Sequence, residues 1–153
     1  MNRRNFLVLA TLSAFIPIVN AGTWESGSFD NDDALDWANQ CIKSKGTSLI
    51  LSTLNAALGS NYLEVPECSA AVAAAEVIAA SNGKATKDLP KELSSWLEQQ
   101  NRAEIAKLAP LATKVVSRIL TGQKSELQEL WQENKKDFSK WKSHMQNLIS
   151  RLK

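Results

Sequence analysis

The run AAVAAAEVIAA, residues 70 to 80, limits the fold more than any other stretch. It lies in a helix predicted from about Pro66 to Ala80, stopping at Asn82-Gly83. Its side chains are very small. A surface of that kind lets other helices approach closely, which places this helix at the centre of the fold. Glu76 interrupts the apolar run, with Val72, Ala73, Ala79 and Ala80 as its helical neighbours. Such a carboxylate is either the one wet position on its helix or a buried group. If buried it needs a partner, such as the Trp24 indole N–H or an amide.

The rest of the chain after residue 30 also reads as helical. No run of β-branched residues alternates with polar ones as a strand requires. A first helix starts at Asp30, with Asp33 three residues on and Phe29 and Ala34 placed as a staple. Ala34, Trp37, Ala38 and Cys41 share its inner face. A second helix runs from Thr47 to Leu58. A fourth covers Asp88 to Gln100, with Leu89, Leu93, Trp96 and Leu97 inward. A fifth spans Arg102 to Thr121, and Pro110 kinks or divides it. Ser125 to Gln128 forms a capping box that opens a sixth. Asp137 caps the last, where Phe138, Trp141, Met145, Leu148 and Leu152 make an apolar seam. The fold expected is a single all-α array of six or seven helices.

The first 21 residues, MNRRNFLVLATLSAFIPIVNA, read as a signal peptide. Arg3 and Arg4 form its charged region, Phe6 to Val19 its apolar run, and Val19-Asn20-Ala21 its cleavage site. The run is shorter than the roughly 20 apolar residues of a spanning helix, so no integral span is expected after cleavage. Arg3-Arg4-Asn5-Phe6-Leu7 also fits a twin-arginine signal, and the export route stays open. The expected location is periplasmic or secreted, in a bacterium. The chain holds 18 Lys and Arg against 16 Asp and Glu, and both leader arginines leave on cleavage. Residues 22–153 are then electrically balanced, which argues against nucleic acid as a partner.

The two cysteines, Cys41 and Cys68, admit two readings. Paired in an oxidising compartment, they would contribute about 3–4 kcal/mol by loop closure. Unpaired, they serve as small buried hydrophobes. Neither has metal-ligand spacing, and no cofactor motif is present, so neither a metal nor a cofactor is expected.

Residues 22 to 37, GTWESGSFDNDDALDW, crowd Glu25, Asp30, Asp32, Asp33 and Asp36 between Trp24 and Trp37. An EF-hand is excluded, because Ala34 and Leu35 stand where a ligand and the glycine should be. Acids in a first helical turn complement the helix dipole. They also make an anionic surface for a basic partner. One such partner is internal: Lys135, Lys136, Lys140, Lys142, Arg151 and Lys153 make the chain end basic. Acidic start and basic end are expected to face each other, in pairs of about 0–1 kcal/mol each. Glu67, beside Pro66, reads as a first-turn acid. His144 reads as solvated. Ser69 and Ser125 have no positioned base, and no catalytic residue is assigned.

Taken together, these residues resemble the domain of unknown function 4259 family. The resemblance rests on Gly22-Thr23-Trp24 and on Gly27, Phe29 to Asp32, Ala34, Asp36 and Trp37. It continues through Tyr62 to Cys68, Ala73 to Ala80 with Gly83-Lys84, Ser125 to Glu133, Trp141 and Leu148 to Leu152. It implies a helical fold and carries over no catalytic residue, since the family's activity is uncharacterised. Family members commonly begin with Met directly before Gly-Thr-Trp and are of cytoplasmic type. The leader departs from that pattern, and cleavage after Ala21 restores nearly the usual start.

The function expected is an exported helical module that binds another protein, of inhibitor or immunity type. Its candidate surface is Trp24, Asp30, Asp32, Asp33, Asp36, Trp37, Glu67 and Glu76. A second reading is a carboxylate-based hydrolase or lyase, pairing Glu76 with Asp33, Asp36 or Glu67. A third is a structural module of the envelope.

Overall fold

The computed structural model describes residues 27–122 and 124–153. The expected signal peptide, Trp24 and Glu25 therefore lie outside the described residues. Eight helices are present among the described residues: α1 Asp32–Ile42, α2 Ser48–Gly59, α3 Val65–Ser81, α4 Lys91–Glu98, α5 Arg102–Ala106, α6 Ala109–Thr121, α7 Glu126–Gln132 and α8 Lys135–Arg151. The only sheet-like pairing among them is an isolated parallel bridge between Leu63 and Ser125. None of these helices is long and apolar enough to cross a membrane.

The fold is all-α, with one helix more than expected. The additional one comes from residues 102–121, which divide into α5 and α6. Pro110 falls in the first turn of α6, where its missing N–H has no intrahelical partner to lose.

Helix α3 is the hub, in contact with each of the other seven helices. Burial is unbroken from Ala71 to Ser81. A helix can be apolar all round only if it is covered all round. Its end is a Schellman turn. Gly83 sits at φ 76°, where a side chain would be strained. Its N–H donates to the Ala80 carbonyl at 2.9 Å and the Lys84 N–H to that of Ala79 at 3.0 Å.

Two caps differ from expectation. The N-cap of α1 is Asn31, not Asp30, and its side chain accepts from the Ala34 N–H at 2.8 Å. Asp30 is engaged one turn earlier, accepting from the Gly27 N–H at 2.7 Å. Helix α8 starts before Asp137, with Asn134 as its cap. Asp137 instead accepts from the Asn134 side-chain amide at 2.6 Å, which holds the cap in place. Ser125 caps α7 as expected. Its capping box is only half formed, because the Gln128 amide turns away to the Leu120 carbonyl at 2.7 Å.

Side chains tie the outer helices down. Arg118 on α6 donates to the carbonyls of Ala57, Leu58 and Ser60, closing the end of α2. Glu126 on α7 accepts from the Val65 N–H at 2.7 Å, at the start of α3. The indole N–H groups of Trp37 and Trp96 donate to the Thr53 hydroxyl and the Ser44 carbonyl. Cys41 and Cys68 are free and buried. Burial pushes the Cys41 thiol up to about 12, against a smaller downward pull from Ser44. Burial also raises Cys68, opposed by its hydrogen bond with Ser125.

Candidate functional site

The site is built from a turn before α1, the middle of α3 and the inner edge of α8. Gly27 and Asp30 close the turn. Besides the Gly27 N–H to carboxylate bond, the Asp30 N–H donates to the Gly27 carbonyl at 3.3 Å. A Cβ on residue 27 would collide with the Asp30 carboxylate, so the close turn requires glycine. This turn buries both Ser28 and Phe29.

Ser28 meets Glu76, which is 0 % exposed and the one buried carboxylate among the described residues. The Ser28 hydroxyl donates to Glu76 Oε1 at 2.7 Å. Arg151 grips the same carboxylate with both terminal nitrogens, Nη1 to Oε2 at 2.7 Å and Nη2 to Oε1 at 3.0 Å. Such a fork-to-fork pair is stronger and better oriented than a single contact. Arg151 also donates to the Lys84 carbonyl at 3.1 Å, in the turn that ends α3. Its Nε is held by Asn147 at 2.8 Å.

His144 completes the cluster. Its Nε2 lies 2.7 Å from Ser28 Oγ and 3.7 Å from Glu76 Oε1. The proton positions follow from counting. A carboxylate paired with a guanidinium only accepts, so the single Ser28 proton points to Glu76. Ser28 Oγ must then accept from His144, and Nε2 carries the proton. The chain of bonds runs His144 Nε2–H to Ser28 Oγ–H to Glu76 Oε1. In a nucleophilic serine the imidazole takes the hydroxyl proton. Here the direction is reversed, and Ser28 is an orienting link.

Ser28 and His144 also line a cleft of about 220 Å³. Its apolar wall comes from Val65 and Val72 of α3, Leu127 and Trp131 of α7, and Trp141 and Met145 of α8. Trp131 and Trp141 stack, with ring centroids 6.3 Å apart and planes 11° from parallel. The lip is the turn and first residues of α1: Gly27, Asp30, Asn31, Asp32 and Asp33. Ser69 lies in the lining too. Among the described residues, the lining includes no Lys or Arg.

Of the eight residues singled out from sequence, Asp30, Asp32 and Asp33 come together at the cleft, and Glu76 lies behind it. Asp36 and Glu67 are exposed and do not line it. Trp37 is a core side chain on the inner face of α1. Trp24 falls outside the described residues; among those described, Ser28 and Arg151 satisfy Glu76. Two readings need correction. His144 is hydrogen-bonded and partly buried rather than solvated, with its side chain 20 % exposed. Among the described residues the basic chain end does not pair with the acidic start. Its ion pair among them runs from Arg151 to Glu76.

Sequence reasoning missed this convergence because the partners are 48, 75 and 116 residues apart in the chain. One signal was available. His144 and Arg151 are seven residues apart, two helical turns, and flank the apolar seam of α8 on one side. Among the described residues no group of three or more His, Cys, Asp or Glu is arranged to hold a metal ion.

A sequence model for the family described as Domain of unknown function (DUF4259) matches residues 22–144. That span holds Ser28, Glu76 and His144 and stops short of Arg151. No curated protein and no solved structure matches the chain.

Proposed function

The chain belongs to the DUF4259 family, and from that premise we propose that it is an exported binding module for another protein, of inhibitor or immunity type. The reading is supported by one observation above all: the Ser28 proton is committed to Glu76. The serine and histidine beside the cleft are thereby set up to hold its lip rather than to attack a substrate. Glu76 is itself withdrawn from solvent and gripped by Arg151, so it offers no free carboxylate for acid–base work. An orienting network behind a small, aromatic-walled cleft is the arrangement of a preorganised contact surface.

Export rests on the leader, with its twin arginines, apolar run and cleavage site at Ala21. The test is affinity capture from a periplasmic extract, using the processed protein as bait. A stoichiometric partner whose recovery depends on the cleft is the expected result. Turnover of ester or glycoside substrates that disappears in Ser28→Ala would instead support an enzyme.

A further inference from the structure

We propose that the cleft receives the ammonium or guanidinium group of a basic side chain presented by the partner protein. This inference rests on the binding-module reading and specifies the chemistry of its contact. Three observations carry it. The first is hydrogen-bond direction. With Nε2 donating to Ser28, a neutral His144 keeps Nδ1 as its acceptor, and Nδ1 has no partner among the described residues. Ser28 has spent its proton on Glu76. The Asp30, Asp32 and Asp33 carboxylates accept only. Side-chain donors on the lining include the Ser69 hydroxyl, the Asn31 amide N–H groups and the Trp141 indole N–H, while the Asn31 oxygen is taken by the Ala34 N–H. Three carboxylates and the open His144 Nδ1 still make acceptors the larger set, which favours a ligand that brings donors.

The second observation is charge. Three carboxylates stand on the lip, and among the described residues no Lys or Arg lines the cleft to offset them. None of the three forms an ion pair with another described residue. The third is size and wall chemistry. At about 220 Å³ the cleft falls below the roughly 300–1,000 Å³ of most small-molecule sites and suits one side chain. A Lys or Arg stem packs on apolar surface while its charged end reaches polar groups. The apolar wall that includes Val65, Val72, Leu127 and Met145 supplies such a surface.

The probe is the peptide acetyl-Gly-Arg-Gly-amide, compared with its citrulline counterpart, which keeps the shape and loses the charge. Both are titrated into isotope-labelled protein and followed by amide and indole NMR. The arginine peptide is expected to shift the Trp141 indole and the amides of residues 31–33 in a saturable, millimolar manner, with citrulline far weaker. The double variant Asp32→Asn/Asp33→Asn should weaken it about fivefold or more, as expected for two partly exposed charges. Asp36→Asn, off the cleft, should leave it unchanged. Equal binding of citrulline, no shift at these residues, or insensitivity of the double variant would each overturn the assignment. A partner captured equally by wild type and the double variant would sink this inference and leave the binding module standing. Failure to capture any partner would count against the module itself.

Discussion

Arg151 is the residue on which the buried carboxylate depends. Removing one member of a buried pair strands the other, which costs about 3–5 kcal/mol. Arg151→Ala should fall near 3 kcal/mol, since its side chain stays 15 % exposed. Chemical denaturation measures this. Arg151→Ala/Glu76→Leu should recover much of the loss, because no uncompensated charge then remains. The thiols give a pH dependence with a definite sign. Cys41 titrates near 12 when folded, above its ordinary 9.0. Between those values the unfolded chain has released the proton and the folded chain has not. Stability is therefore full below about pH 9 and falls as pH rises toward 12. Cys41→Ala should flatten part of that fall. At neutral pH neither thiol should react with a disulfide reagent until denaturant is added.

Helices were largely legible because their signals are local. The inner faces of α1 and α4 and the seam of α8 follow the apolar period directly, with Ala34, Trp37, Ala38, Cys41, Leu93, Trp96, Leu97, Trp141, Met145 and Leu148 all buried. The small-residue run placed α3 at the centre, where it lies. Caps were harder, since neighbouring Asp and Asn residues compete for one position and backbone geometry decides. Asn134→Ala should cost about 1 kcal/mol, and Asp137→Ala less, as thermal melts can show. The polar cluster was illegible beyond Glu76 itself. Local sequence shows that a buried carboxylate needs partners but not which distant element brings them. At the hub, Ala74→Leu should destabilise by about 1–3 kcal/mol through overpacking.

Across the whole molecule, one network joins its earliest described turn, its central helix and its last helix. Ser28, Glu76, His144 and Arg151 fasten the lip of the cleft to the core and the core to the chain end. A lip held this way is preorganised, which lowers the ordering cost of binding. If the leader is processed as proposed, N-terminal sequencing of the exported protein should begin at Gly22. The proton order within the network distinguishes a fixed binding cleft from a hydrolytic serine. Nitrogen NMR of the His144 ring reads that order directly. A neutral ring protonated at Nε2, with Ser28 inert to a fluorophosphonate, is the predicted result. A ring protonated at Nδ1 together with a fluorophosphonate-labelled Ser28 would contradict it.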